Sequence, residues 1–184
     1  MARTARYIIL AEDLAGARFV ENHLVTRWGI PRRDVRQEVH PKGIGSGKHW
    51  VEARYPIEVQ AYRAKRNHVY KALVVVTDAD EAPVATRHAA LDQALATTTP
   101  PMAARSPDEA IVHAIPRWEI ETWAEHLLTN EVVPEDQKMG WTTERSEREC
   151  ARAGYLLHPH RQPRPPCCPP SMRASDAEFA RLDP

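Results

Sequence analysis

Asp78 and Asp80 stand one residue apart in ALVVVTDADEAP (72–83), where five apolar residues run straight into acid. Carboxylates that close resist joint ionisation unless a positive charge sits between them. Glu12 closes a second apolar run, RYIILAE (6–12), and Asp13 follows it. A third run, AIVHAIP (110–116), leads into Glu119 and Glu121 of RWEIETW. Clustered carboxylate oxygens are the donor set of hard divalent cations, so the chemistry to expect is binding of Mg2+ or Mn2+. The cation would relieve the repulsion. A plainer alternative is that Asp78 or Asp80 caps the following helix, as aspartate often does. Acid at Glu119 and Glu121 is also what a helix dipole favours in a first turn. That alternative serves one acid at a time, whereas Glu12, Asp78 and Asp80 together need a shared reason.

The elements that would carry these acids alternate along the chain. Apolar runs with strand character fall at 6–12, 34–41, 71–80 and 110–116. Helical spacing falls at 13–30, 50–67, 82–96 and 117–130. Gly29 and Pro31 stop the first helix, and Pro56 must sit in the first turns of the second or kink it. Between them, KGIGSGKH (42–49) reads as a flexible glycine loop. The order β-α-β-α-β-α-β-α predicts an α/β fold with a four-stranded, mainly parallel sheet and helices on both faces. Chemistry in such sheets gathers at the carboxyl ends of the strands, which would put the three acidic runs on one edge. After residue 130 the pattern weakens. A charged helix is expected over 142–158, an extended proline-rich segment over 158–171 and a last helix over 175–182 capped by Ser175. We therefore expect an α/β domain over 1–135 and a helical, proline-rich extension packed on it over 136–184.

Composition narrows the function classes. At 184 residues the chain can bury one proper core. Lys+Arg and Asp+Glu balance at 25 each, so no global basic field advertises nucleic acid and only a local face could serve it. No apolar run nears the roughly 20 residues of a membrane span. The start, MARTARYIIL, is too short in apolar residues for a signal peptide. Three cysteines, two of them adjacent at Cys167 and Cys168, make no disulfide framework, and the expectation is a reduced, cytoplasmic protein.

A strand ending in Glu, IILAEDLAG, followed by a later strand ending in Asp-x-Asp, VVVTDADEAP, resembles the Toprim domain of topoisomerases, primases and the overcoming-lysogenization-defect nucleases. The resemblance covers about 6–130 in element order, and IPRWEIETW is similar to the Glu-x-Trp helix of small stand-alone Toprim proteins. It implies a Toprim/Rossmann-like fold and metal-dependent phosphodiester hydrolysis. Asp78 and Asp80 would hold Mg2+ or Mn2+, Glu12 would be a metal ligand or general base, and Glu121 would complete a second metal position. It also implies DNA or RNA as substrate and an ATPase partner in a bacterial mobile-element or phage-defence locus. One departure stands out: the family's Glu-Gly turn is Glu12-Asp13 here. Two other classes compete. One is a non-catalytic Toprim-like module that docks on a partner or on nucleic acid. The other is a receiver-like phosphoacceptor domain, which needs a lysine at the end of a fifth strand.

The remaining motifs are weaker. GIGSGKHW (43–50) fails as a P-loop, because Lys42 takes the first glycine's place and His49 that of the Ser/Thr. Its glycine amides, with Lys42 and Lys48, could instead meet a nucleic-acid phosphate. His158, His160, Cys167 and Cys168 suggest zinc, with poor geometry for adjacent cysteines. Arg63, Lys65, Arg66 and Lys71 read as a solvated helix end, and His113 as a core residue.

Overall fold

The computed structural model describes residues 6–69, 71–157 and 167–183. His158 and His160 of the zinc motif, and most of the proline-rich segment, lie outside them. The strands are β1 (Tyr7–Ala11), β2 (Val35–Val39), β3 (Ala72–Val76) and β4 (Ile111–Ala114). The helices are α1 (Leu14–Trp28), α2 (Gly47–Lys65), α3 (Val84–Ala96), α4 (Ile120–Thr129), α5 (Thr143–Gly154) and α6 (Pro170–Phe179). The four strands form one parallel sheet in the order β2-β1-β3-β4. This is the expected α/β architecture. No helix among the described residues is long and apolar enough to cross a membrane.

The period of two along each strand sorts the core into two layers. Ile9, Ala11, Val74, Val76, Val112 and Ala114 face α1, α4, α5 and α6. Ile8, Leu10, Leu73, Val75 and Ile111 face α2 and α3, where Tyr55, Val59, Leu91 and Leu95 meet them. Cys150 and Ala153 of α5, with Met172 and Phe179 of α6, belong to the first layer, so the C-terminal helices complete the same core as the strands. Fully buried Trp123 ties α4 to α6 by donating from Nε1 to Ser171 Oγ at 2.7 Å.

Three expectations need correction. The glycine segment is not all loop: α2 starts at Gly47, capped by Ser46, which accepts from the His49 amide. Pro56 then falls in mid-helix rather than in the first turns. The last helix starts at Pro170, a position that suits proline because its missing N–H is not needed there. Ser175 is therefore buried inside α6 and caps nothing; its hydroxyl donates to the Met172 carbonyl at 2.7 Å. His113 is buried on β4, the core residue expected. Its ring bonds Tyr55 Oη at 2.9 Å and His88 Nδ1 at 3.2 Å.

Candidate functional site at the strand ends

The register places the acids. Ala11 is paired with both Val39 and Val76, and Val76 with Ala114, so all four strands end level. Glu12 and Thr77 lie one residue beyond the central strands β1 and β3, and Asp78 lies two beyond. From β1 the chain moves to one side of the sheet and from β3 to the other. That gap is the topological switch point, where parallel sheets place their ligand crevice. The ladder persists past the strand ends, with the Glu12 amide donating to Val76 O at 3.3 Å and the Ala79 amide to Pro116 O at 3.0 Å. Across the gap, the Thr77 hydroxyl and the Asp78 amide, the latter at 3.2 Å, both donate to Glu12 Oε1.

Helix capping by Asp78 or Asp80 does not explain this arrangement. Helix α3 starts after Pro83 and has no side-chain cap. The acid that does cap a helix is Asp13, whose Oδ1 accepts the Gly16 amide of α1 at 2.8 Å.

Burial first, and mutual repulsion after it, raise the proton affinities of the cluster. Burial lifts the Asp78 carboxyl well above the usual range, and the charges of Glu12, Asp13, Glu121 and Asp80 lift it further. Asp78's carboxylate accepts no hydrogen bond and joins no ion pair among the described residues. Burial raises Glu12 as well; the Thr77 hydrogen bond opposes the rise, and the Asp80 charge adds to it. Glu121, in the first turn of α4, is raised by burial against a hydrogen bond from Ser146, with Asp13 and Glu119 adding repulsion. So Glu12, Asp13, Asp78, Asp80 and Glu121 share one field at one edge.

Asp80 is placed differently. Its φ is 55°, in the left-handed region. That turn breaks the extended geometry in which residues i and i+2 point the same way. Its Oδ2 is 3.4 Å from Lys48 Nζ on the first turn of α2. Arg117 fixes the turn by donating to the carbonyls of Asp80, Ala82 at 2.6 Å and Glu81 at 3.0 Å. Arg87 braces the other side, donating from Nε to Asp78 O at 3.0 Å while pairing with Glu52. Gly47 brings the start of α2 onto the site, since a Cβ there would stand 3.2 Å from Glu12 Cβ and 3.3 Å from Glu12 O.

A cleft of about 290 Å³ opens beside the acids, lined among others by Glu12, Asp13, Glu121, Lys42, Trp141 and Ser146. Lys42 is exposed at its rim and lies 3.4 Å from Glu147 Oε1. The expected residues Glu12, Asp78, Asp80 and Glu121 are thus near enough for their charges to act on one another, Asp80 also contacting Lys48, while Lys42 meets Glu147 of α5. Sequence reasoning assigned no role to Thr77, Arg87 or Arg117. Thr77 was findable from its place between the apolar run and Asp78; nothing local marks the two arginines. Asp13 was read only as Glu12's neighbour, although an aspartate before a helical run is a cap signal.

The donor set fits a hard cation in kind, being carboxylate oxygen, with the Asp78 carboxylate unpartnered among the described residues. Yet among the described residues no three His, Cys, Asp or Glu side chains converge closely enough to hold a metal ion. That statement covers Cys167 and Cys168 too. No family model, curated protein or solved structure matches the chain.

Proposed function

We propose that the strand-end acids form a Mg2+- or Mn2+-dependent phosphodiesterase site, the nuclease chemistry of the Toprim resemblance. One observation carries the reading: the Asp78 carboxylate stands at the switch point with no hydrogen bond or ion pair among the described residues, in the combined field of Glu12, Asp13, Glu121 and Asp80. A structural role for an unpaired acid there would be destabilising, whereas a divalent cation would make it favourable. Asp78 and Glu121 would hold the cation, with Asp80 joining them when its turn opens. The cation would polarise the scissile phosphate and offset the charge that develops on it.

The chain's own residues supply the rest. Thr77 and the Asp78 amide fix Glu12 through Oε1, leaving Oε2 to take the proton of an attacking water. The raised proton affinity of Glu12 suits a general base working near neutral pH. Lys42 and Lys48 flank the edge as phosphate contacts. An ATPase partner belongs to the same reading.

A non-catalytic Toprim-like module is the second reading, favoured by the absence of a converged metal-binding trio among the described residues. The receiver-like reading has less support. The sheet among those residues has four strands, and the lysine beside the acids comes from α2.

The pure protein should nick supercoiled plasmid, or cut linear duplex or structured RNA, in Mg2+ or Mn2+ and not in EDTA. The Asp78→Ala/Asp80→Ala double variant should be inactive. Metal-independent cutting, or equal cutting by the double variant, would overturn the assignment. Metal binding without cutting would leave the interaction module.

A further inference from the structure

We propose that strand β2 pairs antiparallel with β2 of a second copy of this chain, about a two-fold axis at Gln37. The inference is independent of the strand-end site. Strands β2 and β4 form the two edges of the sheet, and they are treated differently. On β4 the outward backbone is occupied. The His113 amide donates to Glu178 Oε2 at 3.0 Å, and the Ile111 carbonyl accepts from Arg105 Nη1 at 2.9 Å. Side chains that fill the ladder positions of an edge keep it from pairing. Strand β2 has no such cover among the described residues, and all of its residues are half-buried.

The phase of β2 decides what it offers. The Asp34 carbonyl accepts from the Arg6 amide at 2.8 Å, and the His40 amide donates to Ala11 O at 3.1 Å. Even-numbered residues therefore turn their backbone toward β1, and Val35, Gln37 and Val39 turn theirs outward. The Val35 amide is taken by Arg32 O. The Val35 carbonyl and both backbone groups of Gln37 and Val39 have no partner among the described residues. The side chains name the occupant. In an antiparallel pair centred on Gln37, Val35 faces Val39 of the second copy and Arg36 faces its Glu38, each contact repeated by symmetry. Gln37 meets Gln37 as a hydrogen-bonded pair. Arg36 and Glu38 then occupy the closer, non-hydrogen-bonded positions, where opposite charges stabilise. Sliding by two residues, the smallest step that keeps the outward groups matched, sets Arg36 against Arg36 or Glu38 against Glu38. Like charges disfavour both. The charges thus select one register. They share a face with α2, where Arg36 pairs with Glu58 at 2.9 Å and Arg54 lies 3.8 Å from Glu38.

Sedimentation velocity on the full chain is the test, with circular dichroism to check that each variant is folded. Wild type should form a concentration-dependent dimer. Gln37→Pro removes the central outward donor and no bond to β1, a substitution that an edge strand accepts, and it should be monomeric. Glu38→Arg should weaken association about tenfold, because like charges replace a favourable pair on both sides of the axis. Arg36→Glu should do the same, with Glu58 still paired to Arg54. An equimolar mixture of these two single variants should recover the dimer, since every Glu then faces an Arg. Monomeric wild type at its solubility limit would overturn the proposal. So would a dimer that survives Gln37→Pro or is unchanged in Glu38→Arg, and so would a mixture no more dimeric than its components.

Discussion

Asp78→Asn should abolish metal-dependent cleavage while making the protein more stable. Loss of a group that stabilises transition-state charge costs about a hundred- to a thousandfold in rate, and a lost ligand should reach at least the upper figure. Thermal unfolding should move the other way, because asparagine removes one charge from a field of four other carboxylates. A gain of about 1 kcal/mol is the usual scale for relieving such a site. In a chain of this length it corresponds to about 2–4 °C. A variant that is dead and destabilised would mean that Asp78 is a structural residue.

The same residues set the pH dependence. Asp78, Glu12 and Glu121 have folded-state values above their ordinary ones. Between the ordinary carboxylate range and those raised values, the folded state holds more protons than the unfolded chain. Stability then falls as pH rises through that window. Asp78→Asn should flatten the slope. Glu109 and Glu178 act oppositely and at lower pH. Burial would raise each, but Arg63 for one and Arg105 for the other outweigh it and hold both below the usual range. Their contribution is present above the ordinary values and is lost as pH falls through the depressed ones.

Gly154→Ala should be the most damaging single methyl in the chain. A Cβ there would lie 2.2 Å from the Phe19 carbonyl oxygen and 3.0 Å from Asn22 Cβ, so α5 could not keep its crossing on α1. Overpacking of this kind costs about 1–3 kcal/mol, and contact with backbone rather than a flexible side chain puts this case at the top of that range. Alanine recovers up to about 1 kcal/mol in helix propensity, leaving a net loss of about 2 kcal/mol and a melting point lower by about 4–8 °C. The effect should reach the site, since Ser146 of α5 hydrogen-bonds Glu121 and Thr143, Ser146 and Glu147 line the acidic cleft. A melting point within 1 °C of wild type, by differential scanning fluorimetry, would contradict the packing.

The fold was legible because its strands are dense apolar runs and its helices keep their spacing. Ala72–Val76, buried throughout, is what ALVVV announces. Glu12 and Asp78 were legible for the same reason, as acids placed one and two residues beyond a buried strand. The fate of Asp80 was not. Whether residue i+2 keeps facing the same way depends on a backbone turn, and that turn is held by Arg117, 37 positions away in the chain. Lys48 was singled out for phosphate, but its contact with Asp80 depends on how α2 is seated, which no local pattern reports. The start of α2 was misread because Ser46 capping a helix at Gly47 looks, in sequence, like more glycine loop. The role of α5 was hidden because its apolar face is small, made of Cys150, Ala153 and Gly154.

The most direct measurement is a Mn2+ titration of the wild-type chain at neutral pH, followed by electron paramagnetic resonance, beside folded Asp78→Asn. Wild type should bind Mn2+ saturably, and the variant should not. Equal binding by both proteins, or none by wild type, would contradict a metal centre at the strand ends.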